Sequence, residues 1–194
     1  ARAGTMLYFG STSSGTAGGV SFANEDILTK DLTSGAWSMF FDGSDVGLSS
    51  QDVDAFDVRP DGSLLVSFTS AFTLSGLGSV DDSDLVRFTP TSTGPTTAGT
   101  WSWYFDGSDV GLSTSDEDVD AFDVLADGRL VVSTTGSASV SGVSAADEDL
   151  VAFTPTATGS TTKGSWAMYL DGSAVGLSSS SSEDVNGVSV AASG

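Results

Sequence analysis

The sequence predicts an all-β fold made of three tandem four-stranded antiparallel units, and three observations carry that prediction. The octet FDGSDVGL at 41–48 recurs at 105–112 and returns as LDGSAVGL at 170–177. With the octets aligned, Trp37, Trp101 and Trp166 fall 64 and 65 residues apart. Short segments alternate apolar and polar residues at period two, and no stretch sustains the spacing of an amphipathic helix.

The alignment extends beyond the octets. NEDIL (24–28) matches DSDLV (82–86) and DEDLV (147–151), and QDVDAFDVRPDG (51–62) matches EDVDAFDVLADG (117–128) and EDVNGVSVAASG (183–194). One repeat domain therefore spans 1–194, with units at 5–62, 63–128 and 129–194. In the middle of the chain the strands of a unit read in order as LLVSF (64–68), DLVRFTP (84–90), TWSWYF (100–105) and VDAFDV (119–124). LLVSF is apolar throughout, as expected of a strand covered on both faces, whereas TWSWYF points Trp101, Trp103 and Phe105 to one side. PDG (60–62) and ADG (126–128) are turn tripeptides, and STGPTTAG (92–99) is a flexible connection. The first unit is shorter here: Asp26 and Trp37 are 11 residues apart, against 17 from Asp84 to Trp101.

The chain opens at ARAGTMLYF, which aligns with RPDGSLLVSF (59–68), and ends within the same turn. This phasing predicts that Val185–Val190 pairs with Met6–Phe9 and so closes the array, removing exposed strand edges. The strand order resembles that of a β-propeller blade, and the expected architecture is a closed, propeller-like three-sheet toroid. The alternatives are half of a six-unit ring formed by a dimer, a β-prism or trefoil-like body, or a piece of a longer array. The run GGVSFANEDIL…WSMFFDGSDVGLSSQDVDAF resembles a tandem repeat of uncharacterised secreted bacterial proteins over essentially the whole chain. That resemblance implies an extracellular or cell-surface setting and brings no activity with it.

Charge and composition narrow the function. Six basic residues against 26 acidic ones leave −20, which disfavours nucleic acid and anionic lipid as partners. No apolar run reaches the roughly 18–20 residues of a membrane-inserted span. Without Cys or His, thiolate and imidazole sites are impossible, which leaves the oxygen chemistry of Ca²⁺. DGSDVGLSSQDVD places four carboxylates within 13 residues, so Asp42, Asp45, Asp52 and Asp54, with Asp106, Asp109, Asp118 and Asp120, are the expected metal ligands. The third unit departs at Ala174, Asn186 and Gly187. The competing reading is that Asp-Gly simply builds turns. The recurrent Trp residues are expected in the core, with stacking on a sugar as the other use.

No nucleophile elbow, phosphate loop or base accompanies the acids, so the chain is expected not to be an enzyme and to need no catalytic residues. The resulting expectation is a secreted structural or adhesive repeat domain, calcium-stabilised and self-assembling by strand exchange into rings or filaments. A carbohydrate-binding module that recognises a cell-surface glycan is the alternative.

Overall fold

Alternating residues between glycine turns fold each unit into an antiparallel meander in the computed structural model, which describes residues 5–178 and 183–191. The first unit contributes β1 (Met6–Phe9), β2 (Gly15–Ala17), β3 (Val20–Phe22), β4 (Ile27–Asp31) and β5 (Trp37–Phe41). The first unit also supplies β6 (Val53–Val58), which joins the main sheet of the second; that unit contributes β7 (Leu64–Phe68), β8 (Phe72–Leu74), β9 (Gly78–Val80), β10 (Leu85–Ser92) and β11 (Ala98–Phe105). The second unit likewise supplies β12 (Ala121–Val124) to the main sheet of the third, which contributes β13 (Leu130–Ser133), β14 (Ala138–Val140), β15 (Val143–Ala145), β16 (Leu150–Ala157) and β17 (Lys163–Leu170). Three main sheets result, ordered β1-β4-β5, β6-β7-β10-β11 and β12-β13-β16-β17, with β2-β3, β8-β9 and β14-β15 as separate two-stranded ribbons.

The sheets stack, and the core is divided between their junctions. Leu64, Val66, Val86 and Phe88 on one face of the second sheet pack against Ile27 and Phe41 of the first. Leu65, Leu85 and Phe105 on its other face meet Val132, Val151 and Phe153 of the third. Every residue of β7 is therefore buried, which is why LLVSF lacks alternation; its one polar residue, Ser67, accepts the Ala55 N–H at 3.0 Å. Each such side chain contributes about 1.5–3 kcal/mol through burial. The repeat extends to its irregularities: a bulge separates Ile27 from Leu28, Leu85 from Val86, and Leu150 from Val151.

The three ribbons were not expected from the sequence. Their turns use glycines at positive φ, among them Gly76 at 85° and Gly142 at 82°. Among the described residues the first main sheet has three strands where four were expected, because segment 185–190, the counterpart of β6 and β12, does not join β1.

The expected closure is not formed. Among the described residues, Val185–Val190 makes no strand and does not pair with β1; the sheets are open at both ends. Residues 1–4 and 192–194, the outermost parts of the terminal alignment, lie outside the described residues. A physical reason lies in the side chains that would meet at a third junction. Phe41 faces Phe88 at 5.2 Å and Phe105 faces Phe153 at 5.3 Å, but the corresponding third pair would be Leu170 and Lys30. Leu170 is 36 % exposed, whereas Phe41 and Phe105 are at most 1 % exposed. A lysine on that face opposes stacking in the way edge lysines oppose strand pairing.

Candidate functional site

The repeated octet is a short 3₁₀ turn with a fixed internal geometry. Gly47, Gly111 and Gly176 adopt φ of 94°, 101° and 99° at its end. The following Leu48, Leu112 and Leu177 then donate backbone N–H to the oxygen of Gly43, Gly107 and Gly172 at 3.0 Å. The first glycine is needed for close approach: a Cβ on Gly43, Gly107 or Gly172 would lie 2.3–2.5 Å from the backbone oxygen of Glu25, Ser83 or Glu148. Asp26, Asp84 and Asp149 seat the turn, each accepting one bond from that glycine N–H and one from its own loop at 2.8–3.0 Å.

Asp45 and Asp109 reach across to the next unit. Thr97 donates its N–H to Asp45 Oδ2 at 2.8 Å, and its hydroxyl accepts the Asp42 N–H at 2.9 Å. Trp101 Nε1 donates to the Val46 oxygen at 3.0 Å, and Gly94 N–H to the Phe40 oxygen at 2.7 Å. The second junction repeats this latch, with Thr162 on Asp109 and Asp106 at 2.8 and 2.9 Å, Trp166 on Val110 at 2.9 Å, and Gly159 on Tyr104 at 2.9 Å. Both halves of a third latch are missing. Ala174 replaces the acceptor, and the short β4–β5 connection omits the loop that holds Thr97 and Thr162.

The other aspartates gather at the inner edges of the sheets. There residues 54–56 of β6, residues 120–122 at the start of β12 and residues 186–188 line a cavity of about 200 Å³, with Asp54, Asp120 and Asn186 at equivalent positions of the three units. Asp118 and Asp184 stand beside them. Asp120 is only 4 % exposed, yet neither of its carboxylate oxygens receives a hydrogen bond; Asp118, 8 % exposed, has one oxygen without a donor. One oxygen of Asp184 likewise lacks a donor. Burial, reinforced by Asp52 and Asp184, raises Asp54 to about 6. Burial with Asp54 and Asp82 raises Asp118 to about 7. Burial with Asp184, Asp54 and Asp118 raises Asp120 to about 8. Asp184 is raised by burial and by Asp147, while its closeness to Asp120 opposes the rise.

Of the eight aspartates read from the sequence as ligands, the structure thus brings Asp54, Asp118 and Asp120 together, with Asp52 at their margin. It places Asp42, Asp45, Asp106 and Asp109 in the turns and latches. Asp184 was missed because grouping acids by sequence proximity hides positions that converge only when three units stack. Its alignment with Asp52 and Asp118 was the available signal.

Trp101 and Trp166 pack on Phe88 and Phe153 at 4.8 and 4.9 Å. Each also borders a junction cleft. One, of about 540 Å³, is lined by Asp45, Ser75, Thr97 and Trp101; its counterpart, of about 420 Å³, by Asp109, Ser139, Thr162 and Trp166. No family model, curated protein or solved structure matches the chain.

Proposed function

We propose that the chain is a structural or adhesive repeat domain of a secreted or cell-surface bacterial protein, acting through the surface of a stiff array whose acidic charge is compensated by Ca²⁺. The duplicated latch carries this reading. Two junctions share the same hydrogen bonds to within 0.2 Å, as a scaffold that fixes the relative position of its units requires. The buried carboxylates without donors support the calcium, since charges in a low-dielectric setting need protons or a counter-ion. The test is thermal melting in EDTA and in millimolar CaCl₂. A ligand of the folded state alone must raise the melting temperature, and an unchanged curve removes calcium from the proposal.

Self-assembly, where it occurs, would use the free edge of β1 as acceptor of a neighbour's strand. Stacking of sheet faces is disfavoured by Lys30, Leu170 and Ala174. Light scattering decides it, and a monodisperse monomer across concentration removes assembly.

A second reading, carbohydrate binding, is favoured by one observation: equivalent polar clefts at both junctions, each walled by a tryptophan. Oligosaccharide binding there would change the emission of Trp101 and Trp166. A screen of neutral and acidic glycans that leaves tryptophan fluorescence unchanged excludes it.

A further inference from the structure

We propose that Asp54, Asp118, Asp120 and Asp184 form one shared site for a single hard divalent cation, Ca²⁺ before Mg²⁺, and that the bound ion ties segment 183–191 to the inner strands. This deepens the calcium reading above and rests on it: the compensation is assigned to one site built from all three units, in place of separate loop sites.

The acids alone would not make a site; their lack of partners does. Asp120 is buried with both oxygens free of donors, and Asp118 and Asp184 each add another such oxygen. No cationic side chain among the described residues answers them. Arg59 pairs with Asp57, Arg129 with Asp127, Lys30 lies over Trp37, Arg87 lies over Tyr104, and Lys163 borders the cleft at Asp109 and Trp166. The adjoining cavity of about 200 Å³ leaves room for an ion with its water, and Asn186 offers a further amide oxygen.

The donors also select the ion. Four carboxylates and an amide are all oxygen, which suits hard cations. Ca²⁺ accepts about six to eight oxygens in flexible geometry, whereas Mg²⁺ demands a near-ideal octahedron. Among the described residues no three acids already stand in metal-holding geometry, so uptake of the ion must draw them together. Asp184 is the one of the four whose segment, among the described residues, enters no strand or sheet. Its segment is held by the Val185 N–H on the Asp147 oxygen at 3.1 Å, by the Val190 N–H on Asp123 at 2.6 Å, and by Val185 and Val188 packed near Val131 and Leu150. Val185 enters as Val53 and Val119 do, on the oxygens of Asn24 and Asp82, but lacks the sheet that holds β6 and β12. An ion joining Asp184 to Asp54 and Asp120 supplies the missing attachment.

Calorimetric titration of the full chain with CaCl₂, combined with limited proteolysis around 183–191, tests this. The wild type should bind one Ca²⁺ per chain, and Asp120→Asn and Asp184→Asn should each weaken binding by at least about tenfold. Asp106→Asn, outside the site, should bind normally. EDTA should accelerate cleavage of the segment in the wild type and change nothing in Asp184→Asn. Melting in EDTA confirms that Asp120→Asn is folded, since it removes a buried charge and should not melt lower. No calcium binding by the wild type overturns both this site and the reading beneath it. Wild-type binding with Asp120→Asn unaffected, or with Asp106→Asn weakened, overturns the shared site alone. So does a segment whose cleavage ignores calcium.

Discussion

Asp45 Oδ2 accepts the backbone N–H of Thr97 at 2.8 Å, so a side chain in one unit completes the backbone of the next. Thr97 is buried, and no water replaces a lost acceptor cheaply. Asp45→Ala should therefore cost about 1–3 kcal/mol in chemical denaturation. Asp109→Ala should match it, and the double variant should show the sum to within about 0.5 kcal/mol, because the two junctions share no partners. Ala174→Asp should stay within about 0.5 kcal/mol of wild type, since nothing stands opposite to donate. A large loss from that last change would contradict the latch.

The first glycine of each octet is fixed by contact. Gly43→Ala or Gly107→Ala forces a Cβ against backbone oxygen at 2.4 or 2.5 Å and should destabilise by about 1–3 kcal/mol. Gly187→Ala meets nothing within 4 Å and should be close to neutral. Equal effects at the three sites, read from urea midpoints, would refute this.

The inner acids give an inverted pH dependence. Folding raises Asp54, Asp118 and Asp120 from 3.8 to about 6, 7 and 8, so the native state holds more protons than the unfolded chain across that interval. Stability then falls as pH rises from about 4 towards about 8. Asp52, Asp82 and Asp184 beside them are also raised by burial and act in the same direction. In EDTA, the melting temperature at pH 5.5 should exceed that at pH 8.5 by at least about 4 °C. A melting temperature that climbs with pH over this range would show that the carboxylates are not held in this setting.

Trp101 and Trp166 join packing to a directed bond. Trp101→Phe keeps the stacking on Phe88 but leaves the Val46 oxygen without its donor, at a cost of about 1 kcal/mol. Trp101→Ala should cost about 3–5 kcal/mol. Equal losses for the two variants, measured by denaturant unfolding, would mean that the ring contributes nothing beyond its N–H.

Periodicity was enough to read the strands and units, but not every face: the bulge at Tyr104 turns Phe105 towards the third sheet while Trp101 and Trp103 pack towards the first, against the simple alternation of TWSWYF. The ribbons escaped because SGTAGGVSF, FTLSGLGSV and SASVSGVSA offer only three-residue strands, and a Ser-Gly or Gly-Gly turn is a weak signal without longer flanks. Closure was misjudged because chain phasing describes strand order, whereas joining two sheet faces depends on individual contacts. Phe88 and Phe153 have Lys30 as their counterpart, and with Leu170, Ala174 and the short β4–β5 connection it leaves the two ends without a matching junction. At the acid cluster, sequence spacing associated Asp42 with Asp54, although stacking associates Asp54 with Asp120. Distance along the chain is a poor guide to proximity when equivalent positions converge from separate units.

The latch also gives the molecule a direction. Each junction has an acidic flank that receives and a threonine flank that gives, and residues 63–128 carry one of each. Duplicating that cassette in frame would present compatible flanks on both sides and lengthen the stack by one sheet. Exchanging it with residues 129–194 would instead set Ala174 opposite Thr97 and leave that N–H without its acceptor.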